Sequence, residues 1–90
     1  MSQLFSPKRA DEAEFFTFEF APLLSTGETL VTANWAIEDP SMMPDNPAIG
    51  TSTTTQLIQG GTARKTYPIT CTVTTSLGQT LVLTSGLPIA

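Results

Sequence analysis

Histidine is absent from this sequence, and cysteine occurs once, as Cys71. Without histidine the chain has no side chain that ordinarily titrates near neutrality, no Ser-His-Asp arrangement and none of the commonest transition-metal ligand. One thiol can build neither a structural zinc site nor a disulfide within the chain. Charge is also scarce: 13% of the residues are charged, against about a quarter in an average soluble domain. The four basic residues form two separate pairs, Lys8–Arg9 and Arg64–Lys65, in a chain of formal net charge −4. Neutralising a phosphate backbone takes clustered cations, so no nucleic-acid partner is expected. No run approaches the roughly 20 apolar residues of a membrane helix. The opening MSQLFSPKRADEAE lacks the apolar centre of a secretory signal. These absences predict synthesis in a reducing cytoplasm, where a lone Cys71 packs as a small hydrophobe.

Motifs that carry chemistry are missing as well. Gly60–Gly61 has no Lys-Ser/Thr sequel and reads as a turn, not a phosphate loop. Asp11, Glu12, Glu14 and Glu19 lie in or beside the N-terminal segment, and Glu38, Asp39 and Asp45 flank a proline-rich stretch. An acid pair for glycoside hydrolysis needs one carboxyl raised in pKa by an apolar pocket, whereas these sit among polar neighbours. PDNP offers two oxygen-bearing side chains but no downstream acid at calcium-loop spacing. No catalytic, cofactor-binding or metal-binding residue is assigned, and no enzyme activity is expected.

What remains is a β pattern. In EFFTFEF, Phe16, Phe18 and Phe20 alternate with Thr17 and Glu19, while Phe15 faces the other way. In TLVTANWAIE, Val31, Ala33, Trp35 and Ile37 share a face, which places Trp35 at the centre of a core. DPSMMPDNPAIG contains Pro40, Pro44 and Pro47 and is expected to be a long loop, with room for an edge strand at its end. TSTTTQLIQ is β-branched without clean alternation, and GGTARK is a turn. Tyr67, Ile69, Cys71, Val73 and Thr75 then alternate with outward Thr66, Pro68, Thr70, Thr72 and Thr74, and SLGQ turns the chain back into TLVLTSG. Pro68 marks a strand start or an edge. The residues predict an antiparallel immunoglobulin-like β-sandwich over 14–90, with an irregular arm over 1–13, and with Tyr67 to Val73 meeting Trp35 across a dry interior.

Five residues are candidates for contact with a partner. Leu4 and Phe5 form an apolar tip on a charged tether that can dock into a neighbour; a frayed terminus is the alternative. Met42 and Met43 lie in the proline-rich stretch, where adjacent extended residues point opposite ways, so one is exposed unless the loop folds back to plug an open end of the sandwich. Phe15 is the fifth, on the outward face of its strand.

Three segments together, DEAEFFTFEFAPLL, GETLVTANWAI and QLIQGGTARKTYPITCTVTTSLGQT, resemble the small bacteriophage fiber–tail adaptor proteins. The resemblance covers roughly residues 11 to 80. Its most specific elements are Gly60-Gly61-Thr62-Ala63 with Thr66-Tyr67, and Thr74-Thr75-Ser76 with Gly78. It puts Tyr67 at a tyrosine-corner position, whose hydroxyl bonds back to turn backbone. Arg64 stands where family members often carry glycine, so a positive φ there would be strained by on the order of 1 kcal/mol. The resemblance implies a structural virion protein in several copies at the tail or neck, a homo-oligomer linking a tail or neck protein to a tail fiber, with no membrane or nucleic-acid partner. A capsid decoration protein is the alternative within the structural class. A carbohydrate-binding module is a weaker one, since it needs exposed aromatics along a groove.

Overall fold

The computed structural model describes residues 2–4 and 7–90 of the chain. Seven strands are found among them: β1 (Ser2–Leu4), β2 (Ala13–Glu19), β3 (Leu30–Ile37), β4 (Ala48–Ile49), β5 (Thr53–Gln59), β6 (Thr66–Thr75) and β7 (Thr80–Pro88). They form a four-stranded sheet in the order β1-β7-β6-β3 and a three-stranded sheet in the order β2-β5-β4. The fold is an all-β sandwich. Only two single-turn 3-10 helices interrupt it among the described residues, at Ala21–Leu23 and Pro40–Met42.

Period-two patterning explains most of this architecture. On β6 the residues Tyr67, Ile69, Cys71, Val73 and Thr75 are all buried, and the intervening threonines lie on the outer side. A type of hairpin closed by a left-handed glycine returns the chain: Gly78 has φ 84°, and the Thr75 N–H donates to the Gln79 carbonyl at 2.9 Å. Pro68 lies one residue beyond Ile37↔Ile69, the last pair between β3 and β6, so its missing N–H disrupts no ladder with β3. Phe16, Phe18 and Phe20 enter from the other sheet and are buried, each contributing about 1.5–3 kcal/mol relative to exposure.

Trp35 is buried, but its position corrects one expectation. It pairs with Cys71 on the adjacent strand, so it lies beside the Tyr67–Val73 row, not opposite it. Across the interior it meets Phe18, with ring centroids 4.8 Å apart and planes tilted by 57°, and its indole N–H donates to Thr54 Oγ1 at 3.1 Å. Val31 also differs from expectation, at 55% exposed. A register irregularity between Leu30 and Thr32 turns Leu30 inward instead.

The N-terminal segment carries more order than an irregular arm. Ser2–Leu4 run parallel to Thr84–Gly86 as the edge of the larger sheet, an exception to the otherwise antiparallel pairing of the strands. Lys8 forms a further parallel bridge with Ile89, its N–H donating to the Pro88 carbonyl at 3.0 Å while its own carbonyl accepts from Ala90 N–H at 2.8 Å.

Candidate functional site: a surface for partners

The interior polar groups all have structural duties. Cys71 is fully buried, and desolvation pushes its thiol up to about 12, which leaves it protonated and unreactive near neutrality. Glu28, also buried, accepts a hydrogen bond from the Thr75 hydroxyl and another from the Ser25 N–H at 2.9 Å. The Thr75 hydroxyl first, and then the Ser25 amide, hold the Glu28 carboxyl below its ordinary 4.5. Sequence reasoning passed over Glu28. Its one signal is the Ser25-x-x-Glu28 spacing, in which a glutamate reaches back to an amide three residues earlier. Among the described residues no three His, Cys, Asp or Glu side chains converge as metal ligands.

The signature turn 60–65 organises one pole of the sandwich. The Thr62 N–H donates to the Tyr67 hydroxyl at 2.9 Å, so the buried ring carries a bond back to turn backbone as the resemblance implied. Arg64 keeps the backbone of a glycine, with φ 67°, and its N–H donates to the Ile89 carbonyl at 2.7 Å. Gly61, at φ 100°, has a second constraint: a β-carbon there would lie 3.0 Å from Ile89 Cδ1 and 3.1 Å from Met42 Cε. Lys8 closes the arrangement. Its buried Nζ donates to the carbonyls of Arg9 at 2.6 Å and Gly60 at 2.7 Å, tying the N-terminal segment to the turn. No sequence pattern marked Lys8, because a lysine next to Arg9 reads as surface.

Two grooves open near this pole. One, of ≈ 350 Å³, is bordered by Asp11, Glu12 and Asp39, yet each acid is already engaged. Arg9 lies 3.3 Å from Asp11, the Arg9 N–H donates to Glu12 at 3.0 Å, and the Ser41 hydroxyl and N–H hold Asp39 below its ordinary 3.8. The other, of ≈ 320 Å³, runs along β3 beside Trp35, Ile37, Pro40 and Met43.

The predicted contact residues fall in different environments. Met42 is buried at 2% exposure against Gly61, and Met43 packs partly buried against the core, so the loop folds back and plugs the sandwich at this end. Leu4 is the last residue of β1, in register with Gly86. Phe5 lies outside the described residues. Phe15 is 74% exposed, the most exposed large apolar side chain among them. It stands on the outer face of β2 in register with half-buried Leu57 on β5, above a Thr17–Thr55 hydroxyl pair at 2.8 Å. An exposed phenylalanine thus stands beside half-buried Leu57 on the outer face of the smaller sheet.

No helix among the described residues is long and apolar enough to cross a membrane. No curated protein matches the sequence. Residues 8–88 match the family model described as Podophage GP4 fiber-tail adaptor protein gp77. That span takes in Lys8, the exposed Phe15, the 60–65 turn and Tyr67, and on it the chain belongs to the podophage fiber-tail adaptor family.

Proposed function

We propose that this chain is a structural component of a phage tail that holds a tail fiber in place by surface packing, with no bond-making step. The observation that carries this reading is Phe15. Its strand already buries Phe16 and Phe18, so the outward ring adds nothing to the core, while it leaves an apolar anchor in water. Exposed aromatic anchors of this kind commonly dominate protein interfaces. Membership of a fiber-tail adaptor family supplies the class of partner: a tail protein on one side and a fiber on the other. The buried Glu28, Thr75 and Lys8 side chains hold turns and strands together.

The test uses purified full chain and the tail-fiber protein encoded by the same phage. Phe15→Ser is expected to weaken their association at least 10-fold, while the melting temperature stays within a few degrees of the parent, as for a surface substitution. Unaltered affinity in that variant would remove Phe15 from the contact, and no association at any concentration would count against the adaptor role.

A further inference from the structure

All twelve charged residues of the chain lie outside β3, β6 and β7. The outer face of the larger sheet is therefore free of charge over its three long strands. Register places Thr32, Thr74 and Thr80 in one row across it and Asn34, Thr72 and Val82 in the next. Val82 is 48% exposed at the middle of β7. The Thr32 and Thr74 hydroxyls share a hydrogen bond at 2.5 Å, so one of the two O–H donors is already paired within the face. Removing such a pair from water costs less than removing free hydroxyls. At the rim, Lys65 and Glu38 neutralise each other at 2.5 Å.

We propose that this face is a contact between two copies of the chain, packed sheet on sheet about a two-fold axis. Charge selects the occupant. Copies of net charge −4 repel one another, and repulsion is least where neither presents a charge. A face without charge also sets no like charges against each other under two-fold rotation, whereas recognition of a dissimilar partner usually shows charges that steer it. Size fits a weak contact. Ten residues of β6 at about 3.3 Å each, and three strands about 4.8 Å apart, give roughly 500 Å² per copy and about 1,000 Å² per pair, the lower edge for a specific interface. Such a pair forms when copies are concentrated, as they would be at a tail. The inference rests on the adaptor reading for that crowding, but it uses a different sheet from the Phe15 patch.

Sedimentation velocity of the purified chain from about 10 μM to about 1 mM, at low and high sodium chloride, tests it. The expected result is a monomer–dimer equilibrium with a dissociation constant on the order of 100 μM. Added salt should tighten it by screening the remaining like charges. Val82→Glu and Val82→Lys should each weaken the dimer at least 10-fold, with melting curves showing the fold retained, and Phe15→Ser should leave it unchanged. A monomer throughout, or a dimer that survives both Val82 variants but is lost with Phe15→Ser, overturns the proposal. Because fiber binding by the Phe15 variant is a separate measurement, failure here is distinguishable from failure of the adaptor role.

Discussion

The two sheets fill one interior by different means. On β6 and β7 the larger sheet contributes mainly aliphatic and sulfur groups, Ile69, Cys71, Val73, Leu83 and Leu87, with polar Thr75 and Ser85 also inward and small uncharged residues outside. The smaller sheet contributes Phe16 and Phe18 from β2, with Phe20 just after it, but on β5 its inward positions are Thr54, Gln56 and Ile58. Two of those three are polar, and each has a bonding partner: Thr54 accepts from the Trp35 indole, and the Gln56 amide donates to the Asp45 carbonyl at 2.7 Å. The Trp35–Thr54 bond joins the two sheets, whereas the Gln56–Asp45 bond ties the smaller sheet to the proline-rich loop. Trp35 meets the smaller sheet twice, through its ring contact with Phe18 and its bond to Thr54.

Trp35→Ala is the most disruptive way to test that division. Loss of the ring leaves a cavity and an unpaired Thr54 hydroxyl, and should cost about 3–5 kcal/mol, enough to unfold much of a domain of ordinary stability. If β5 amides exchange faster in hydrogen-exchange experiments while β6 and β7 stay protected, the sheets are separable; loss of protection in both makes them one cooperative unit. Gly61→Ala acts at the pole where the sheets meet the loop. With a positive φ and contacts near 3 Å to Ile89 and Met42, it should destabilise by about 1–3 kcal/mol in denaturant titration.

Acid should act through the larger sheet, where Thr75 anchors Glu28. Because the folded carboxyl ionises below its ordinary 4.5, its contribution is complete above that pH and is lost as pH falls through the depressed folded value. Melting temperatures measured from pH 7 down to pH 3 should fall less steeply for Glu28→Gln than for the parent. The smallest effect expected is a gain. Arg64→Gly relieves a left-handed arginine, and should stabilise by roughly 0.5–1 kcal/mol after the added freedom of the unfolded chain is counted. Unchanged stability would show that the turn bears its φ without strain.

The same contrast governs what could be read from the residues. β6 and β7 were legible because aliphatic and threonine positions alternate along most of their length, although β7 continues to Pro88, past the TLVLTSG segment. β5 was less so, since Thr54 and Gln56 are buried in a strand whose outward residues are also threonines, and burial there is decided by hydrogen bonds that no spacing announces. The inward turn of Leu30 in place of Val31 depends on a register irregularity, which period-two reasoning cannot supply. Phe15 was legible as a residue on the wrong face. Met42 was ambiguous because two adjacent methionines cannot reveal which one the loop buries. Lys8 and Glu28 were hidden for a common reason: an isolated charge reads as solvated, and only the converging carbonyls or hydroxyls around it make burial tolerable.

The bridge between Lys8 and Ile89, closed by the Ala90 N–H on the Lys8 carbonyl at 2.8 Å, sets the segment that leads into β2 beside the C-terminal residues. A short linker could therefore join Lys8 to the C-terminal end, with new termini cut at the Leu77 hairpin tip, giving a circular permutant that keeps every strand pair except that of β1 with β7 while its point of attachment moves to the opposite pole.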